Sequence, residues 1–141
     1  MNIDSIRRGI VLDHIQAGHS MELYQALGLD RLPCSVAIIR NVKSEAMGKK
    51  DIIKVDDDID IDLDVVGYLD PGITVNIIED SAIIEKKHLA LPRELKNIAV
   101  CRNPRCITTS ERSLDQLFRL TDEKRRVYRC RYCDAELKGT L

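Results

Sequence analysis

The stretch CRNPRC, residues 101–106, decides how the chain is divided, because its two cysteines find counterparts in CRYC, residues 130–133. Cys101 and Cys106 enclose an Asn-Pro turn, whereas Cys130 and Cys133 enclose only two residues. Zinc prefers four tetrahedral ligands, and two turn-borne pairs of thiolates supply them in a closed site with no open position for a substrate. The spacing therefore predicts one structural Zn²⁺ per chain.

Two other chemistries can join four cysteines and stay open at this point. Two disulfides require an oxidising compartment. The start of the chain does not have the pattern of a signal peptide, so we expect a cytoplasmic protein. An iron or iron–sulfur site would use the same thiolates. The fifth cysteine, Cys34, stands among apolar residues and is interpreted as a small core side chain.

Charge and core residues are unevenly distributed along the 141 residues. Residues 1–100 carry 12 Lys and Arg against 17 Asp and Glu, whereas residues 101–141 carry 10 against 6. The polar tail is too short to build its own core, and such units usually need a metal, disulfides or a partner. We expect one domain at 1–92 and a metal-stabilised domain at 93–141, separated near Pro92. Every apolar run is too short for a membrane span.

Hydrophobic periodicity predicts the order β α β β α β β before the boundary. Strands are expected at 9–15, 35–42, 51–55, 73–80 and 81–87, and helices at 20–28, with Ser20 as N-cap, and at 62–69. In the tail, short strands at 97–103 and 126–133 are expected to lead into the cysteine turns. The pattern is α+β: a ferredoxin-like α/β sandwich with a mostly antiparallel sheet and two helices, then a small rubredoxin-like zinc-binding β domain.

The sequence contains few candidate catalytic residues. The histidines His14, His19 and His88 lie outside the common catalytic motifs, and a metal held by four cysteines is coordinatively saturated. Asp13 and His14 could form an acid–base pair, but neighbours on a strand point to opposite faces. The sequence therefore favours a non-enzymatic function.

Three lysines suggest an anion site instead. Lys50 and Lys54 flank one predicted strand and Lys86 ends another, so their ammonium groups would converge if those strands are neighbours. Point charges with mobile donors suit a polyphosphate. The alternative is an ordinary solvated edge on which lysines oppose aggregation.

The chain resembles the regulatory chain of aspartate carbamoyltransferase almost from end to end. The resemblance rests on IRRGIVLDHI (6–15), EAMGKKDIIKV (45–55), TVN (74–76), LPRELKNIAVC (91–101) and the two cysteine pairs. It implies a non-catalytic subunit in which a nucleotide-binding domain is joined to a zinc domain that contacts the catalytic chain. It also implies a regulatory dimer, inhibition by CTP or UTP and activation by ATP, in control of the first committed step of pyrimidine biosynthesis.

Matching the family's motifs onto this sequence implies a set of nucleotide-binding residues: Asp13, His14, Lys50, Lys54, Asn76, Ile78, Ile83 and Lys86. Lys54 and Lys86 would pair with triphosphate oxygens, and backbone groups around Ile78 and Ile83 would read the base. The rival interpretation is a zinc-ribbon nucleic-acid-binding protein, supported by the arginines of the tail. Few aromatic residues accompany those arginines and the front of the chain is acidic, so no nucleic-acid partner is expected.

Overall fold

The structure is a computed structural model that describes residues 6–137. The chain divides into two compact units, Met1–Ala90 and Leu91–Leu141. No helix within the described residues is long and apolar enough to cross a membrane.

The first unit contains five strands and two α-helices in the predicted order, plus a short 3-10 turn at Leu29–Arg31. The elements are β1 (Gly9–Gln16), α1 (Ser20–Ala26), β2 (Val36–Ser44), β3 (Gly48–Val55), α2 (Leu63–Leu69), β4 (Thr74–Glu79) and β5 (Ala82–His88). The sheet is antiparallel with spatial order β2-β3-β1-β4-β5. Its first four strands have the order of a βαββαβ sandwich, and β5 adds an edge. The α+β fold class is confirmed.

Alternation along the strands explains which face of the sheet is covered. Ile10, Leu12, Ile53 and Val75 all point to one face and are buried there. Leu23 of α1 and Val66 of α2 belong to the same buried cluster, so both helices cover this face. The opposite face carries both polar and apolar side chains and is not covered by these helices.

Two details of this unit differ from the prediction. Ser20 is the first residue of α1 and is buried, whereas His19 holds the N-cap position without a side-chain cap. Strands β2 and β3 run through the polar segment 43–50, and Ser44 pairs with Gly48 across a tight turn. Pairing satisfies the backbone of this segment, so the hairpin overrides the weak strand preference of its lysines.

Asp51 is a fully buried carboxylate on the helix-covered face of β3. It accepts hydrogen bonds from the Gly18 amide (3.1 Å) and the Asn41 amide (3.0 Å), where Asn41 marks the bulge in β2. Burial raises the pKa of Asp51, but hydrogen bonds from Asn41, Ser20 and Gly18 more than offset it, so its pKa lies below the ordinary 3.8. The ionised carboxylate therefore ties the β1–α1 loop to the bulged edge strand.

We expect Asp51→Asn to lower the free energy of unfolding by about 1–3 kcal/mol at pH 7, because a buried charge-assisted acceptor is lost. A carboxylate whose pKa is lower in the folded state stabilises the fold at pH values above its unfolded-state pKa. This stabilisation is lost as the pH falls from the unfolded-state pKa through the folded-state pKa. The difference in free energy of unfolding between wild type and variant should therefore narrow as the pH falls through 3.8. Urea unfolding followed by circular dichroism measures it, with exposed Asp60→Asn as control; a gap that widens in acid would contradict the assignment.

The second unit has a three-stranded antiparallel sheet of order β6-β7-β8: β6 (Glu94–Lys96), β7 (Leu117–Asp122) and β8 (Val127–Cys130). Its one short α-helix among the described residues is α3 (Ile107–Ser110).

The expected strand at 97–103 is wrong, because the strand ends at Lys96 and Asn97 turns the chain with a left-handed φ of 56°. The expected strand before Cys130 is confirmed as β8, and β7 was not predicted. Phe118 and Tyr128 fill the core, and the Tyr128 hydroxyl donates to the Pro92 carbonyl at 2.6 Å.

Candidate metal centre and polar sheet face

The four tail cysteines converge on one point. Their sulfur atoms lie within 4.8 Å of one another, with Cys101 Sγ 3.7 Å from Cys133 Sγ and Cys106 Sγ 3.8 Å from Cys130 Sγ. A tetrahedron with metal–sulfur bonds of about 2.3 Å has edges of about 3.8 Å, whereas a disulfide bond is about 2.05 Å long. The cysteines are all free thiols in the structure. Their geometry thus fits a tetrahedral tetrathiolate metal centre.

Local hydrogen bonds shape each cysteine turn. In the first turn, the Asn103 carbonyl accepts from the Cys106 amide (3.0 Å), and the Asn103 side chain accepts from the Arg105 amide (3.1 Å). In the second turn, the Cys130 carbonyl accepts from the Asp134 amide at 2.9 Å, and Asp134 has a left-handed φ of 63°. Asn and Asp tolerate turn conformations well, so Asn103, between the first two cysteines, and Asp134, directly after the second pair, help to build the turns.

The sulfurs differ in how readily they ionise. Burial raises the pKa of the Cys133 thiol, but hydrogen bonds from the Asn103 side chain and the Ala135 amide bring it down to about 7. Burial beside the other sulfurs raises the pKa of Cys101 to about 12. A divalent cation binds thiolates and displaces their protons, so metal binding to this cluster is expected to strengthen as pH rises.

On the uncovered face of the first unit, five residues form a row that runs straight across the sheet. Register pairing places them side by side in the order Ala37, Lys54, Val11, Asn76 and Lys86. Directly paired residues point to the same face. Two of the predicted lysines therefore flank a central strand pair, and Asn76 lies between them.

Asn76 is the residue of this row that most strongly indicates a bound group. Its side chain is only 7% exposed, and its Oδ1 atom has no hydrogen-bond partner among the described residues. Thr74, two positions along β4, is also buried and points to the same face. A buried amide oxygen without a partner costs about 1–3 kcal/mol, so it points to a group that a single chain does not supply.

Asp13, His14 and Lys50 meet at one end of this face. Lys50 Nζ lies 3.0 Å from Asp13 Oδ1, and His14 Nδ1 lies 2.9 Å from Thr74 Oγ1. Burial raises the pKa of Asp13, but the hydrogen bond from Lys50 and that from the His14 amide outweigh it and hold the pKa below its usual value. The expectation that Asp13 and His14 point to opposite faces is wrong. A bulge between Leu12 and Ile15, with His14 at a φ of 61°, breaks the alternation.

Ile78 and Ile83 lie at the other end of the same face, where they are register partners. Ile83 is exposed, and the bulge beside this pair leaves Ile84 as an extra residue in the edge strand. Backbone groups of an extra residue are left out of the ladder. All eight residues of the predicted nucleotide set thus lie on one face of one sheet. Thr74 and the paired His88 lie there too and were missed, although polar–apolar alternation along β4 marks the Thr74 position.

Comparison with known proteins gives the same division of the chain. Residues 1–90 match the family described as "Aspartate carbamoyltransferase regulatory chain, allosteric domain", and residues 93–140 match "Aspartate carbamoyltransferase regulatory chain, metal binding domain". Relatives named as this regulatory chain include those of Clostridium acetobutylicum and Clostridium botulinum, 48% and 46% identical over 139 residues, which are 99% of this chain and 95% of each relative. The Bifidobacterium longum relative is 43% identical over 138 residues, which are 98% of this chain and 99% of the relative.

An α+β unit with an allosteric-domain match, joined to a four-cysteine unit with a metal-binding match, defines a non-catalytic regulatory chain. That description implies association with a separate catalytic chain. The chain belongs to the aspartate carbamoyltransferase regulatory chain family.

Proposed function

We propose that this chain binds nucleoside triphosphates on the uncovered face of its five-stranded sheet and thereby controls aspartate carbamoyltransferase, which performs the first committed step of pyrimidine biosynthesis. The observation that carries the proposal is the row in which Lys54 and Lys86 flank the partnerless Asn76 oxygen. A ligand with negative charge can contact both lysines, and its hydrogen-bond donors can satisfy the Asn76 oxygen. A nucleotide has both.

The lysine spacing suits an extended polyphosphate. Three strand steps separate Lys54 from Lys86, so their Cα atoms are roughly 14 Å apart. Ammonium groups on both sides of Val11 and Asn76 can contact an extended anion that lies across these two strands, and several phosphoryl groups offer oxygens to each lysine.

The two ends of the face suit the other parts of a nucleotide. At one end, His14 adds a donor for phosphate beside the Asp13 carboxylate, which Lys50 holds ionised. At the other end, Ile78 and Ile83 offer apolar surface, and the bulged backbone beside them offers donors and acceptors to a base edge. The proposed nucleotide therefore lies with its base at the apolar pair, its ribose next to the base, and its triphosphate over the lysine row towards the His14 corner.

CTP and UTP are proposed as inhibitors and ATP as an activator. Purine and pyrimidine nucleotides share the triphosphate and ribose, so they compete for this face. Each can shift the enzyme only by its difference in affinity between two global states. The base end, where the edge strand is bulged, is where such a difference can arise.

The cysteine cluster is proposed to hold one structural Zn²⁺, which supports the surface that meets the catalytic chain. Three exposed apolar residues, Val100, Ile107 and Tyr132, each lie next to a cluster cysteine in the sequence. Exposed apolar side chains fixed near a rigid metal centre are typical of an interaction site. A reduced, cytoplasmic setting keeps such thiolates available to the metal.

Two further aspects of assembly belong to the proposal. Within the described part of the chain, strand β2 (Val36–Ser44) pairs only with β3 and forms an edge of the sheet, which suits association with a second copy in a regulatory dimer. In the second unit, Arg119 pairs with Asp134 and Arg131 pairs with Glu94, both at 2.6 Å. This pairing reduces the positive charge available to nucleic acid, so the proposal includes no such partner.

The test compares two lysines of the row with a lysine on the other face. We expect Lys54→Ala and Lys86→Ala each to weaken CTP and ATP binding by about 10-fold or more, because a charge-assisted contact to phosphate is worth about 1.5–3 kcal/mol. Lys87→Ala removes the same charge from the neighbouring position, which points to the helix-covered face, and should bind as wild type. Calorimetry on the complex with its catalytic chain measures this; equal affinities for all three variants would refute the site.

A further inference from the structure

One buried hydroxyl touches the sulfur cluster from outside the ligand set. Thr108 Oγ1 lies 3.1 Å from Cys106 Sγ, and both residues are 2% exposed. Thr108 belongs to the four-residue helix α3, for which Cys106 is the N-cap residue. The contact therefore lies within a single rigid turn, which holds the hydroxyl and the sulfur together.

The direction of this hydrogen bond follows from the chemistry of the sulfur. A metal-bound cysteine is a thiolate and carries no proton, so it can only accept. The Thr108 hydroxyl then donates, and the bond is charge-assisted because its acceptor is an anion. Without that acceptor the hydroxyl would be buried and unsatisfied, which costs about 1–3 kcal/mol.

We propose that Thr108 is a positioning residue of the metal centre. Its O–H···S hydrogen bond fixes the Cys106 thiolate in its bonding orientation and withdraws electron density from the sulfur. The inference rests on the proposed role of the four cysteines as metal ligands. Outer hydrogen bonds of this kind typically change metal affinity by about 10–100-fold.

The competing explanation is that Thr108 serves only the fold of α3. Thr109 provides a matched comparison, because its hydroxyl donates to the Asn103 carbonyl at 2.8 Å and thus stabilises the same turn. Removing that bond loosens the turn without removing a bond to sulfur. A purely structural role for Thr108 would make the two positions behave alike.

The experiment uses full-length chains that carry Thr108→Val, Thr108→Ser or Thr109→Val. Zn²⁺ affinity is measured by competition with a chelating dye, and the thiolate-to-metal charge-transfer absorption is recorded after Co²⁺ loading. We expect Thr108→Val to weaken Zn²⁺ binding by about 10-fold or more and to shift the charge-transfer band to lower energy. Thr108→Ser keeps the donor and should restore both values, and Thr109→Val should leave the band in place.

The outcomes separate the two proposals. A wild-type chain that binds neither Zn²⁺ nor Co²⁺ would overturn the metal centre itself. A wild type that binds normally, with Thr108→Val equal to Thr108→Ser in both affinity and spectrum, would overturn the role of Thr108 alone. A spectral shift of equal size in Thr109→Val would assign the effect to the turn and likewise overturn the positioning role.

Discussion

Replacing Cys106 with serine is expected to abolish metal binding and association with the catalytic chain together. Among the described residues of the second unit, three of the buried apolar residues are cluster cysteines, and the others are Leu95, Ala99, Phe118 and Tyr128. A core this small depends on the metal, and the binding free energy of a structural zinc site, about 10–16 kcal/mol in zinc-finger peptides, is largely folding free energy. Elemental analysis and co-elution with the catalytic chain on size exclusion measure the two losses.

Cys34→Ser is the matched control, because Cys34 packs beside the core of the first unit and lies outside the cluster. It should retain one metal per chain and remain in the complex. The C-terminal unit of Cys106→Ser should also become far more sensitive to protease than its N-terminal unit. A Cys106→Ser chain that keeps its metal and its place in the complex would refute the structural-metal proposal.

The cysteine spacing predicted that the four sulfurs come together, because two turn-borne pairs have few other uses in a short polar unit. The surrounding elements were harder to predict. Strand β7 (Leu117–Asp122) has polar residues between its apolar ones, and its place is set by pairing with β6 and β8. The contact between Thr108 and Cys106 needs the exact turn of α3, which no spacing rule supplies.

For the first unit, periodicity gave the order of elements because both helices and the inner strands have clear apolar faces. The register of strand pairing could not be predicted from periodicity. Bulges interrupt the pairing between Leu12 and Ile15, between Ile39 and Val42, and in β5, and each one shifts which residues share a face. The lysines alone therefore left an ordinary solvated edge as the alternative, whereas the register places Lys54 and Lys86 in one row.

Gly9→Ala is expected to be the most damaging small substitution in the first unit. A Cβ at Gly9 would lie 2.1 Å from the Val55 carbonyl oxygen, and also 3.1 Å from Ile6 Cγ2 and 3.2 Å from the Asp57 amide nitrogen. Backbone atoms cannot rotate away, so β1 and β3 must separate. We expect a loss of about 3 kcal/mol or more in the free energy of unfolding, and a fall of about 12 °C or more in Tm.

Gly72→Ala is the control, because its Cβ would meet only the Asp70 carboxylate at 3.1 Å, a side chain that can move. Its Tm, measured by circular dichroism, should stay near that of wild type, and equal values for the two variants would contradict the clash at Gly9. The damage should also reach the proposed site, because Gly9 pairs with Ile78, and β1 carries Val11 of the lysine row. At a temperature where Gly9→Ala is still folded, its CTP affinity should therefore be lower than that of Gly72→Ala, since separating β1 from β3 moves Lys54 away from Asn76 and Lys86.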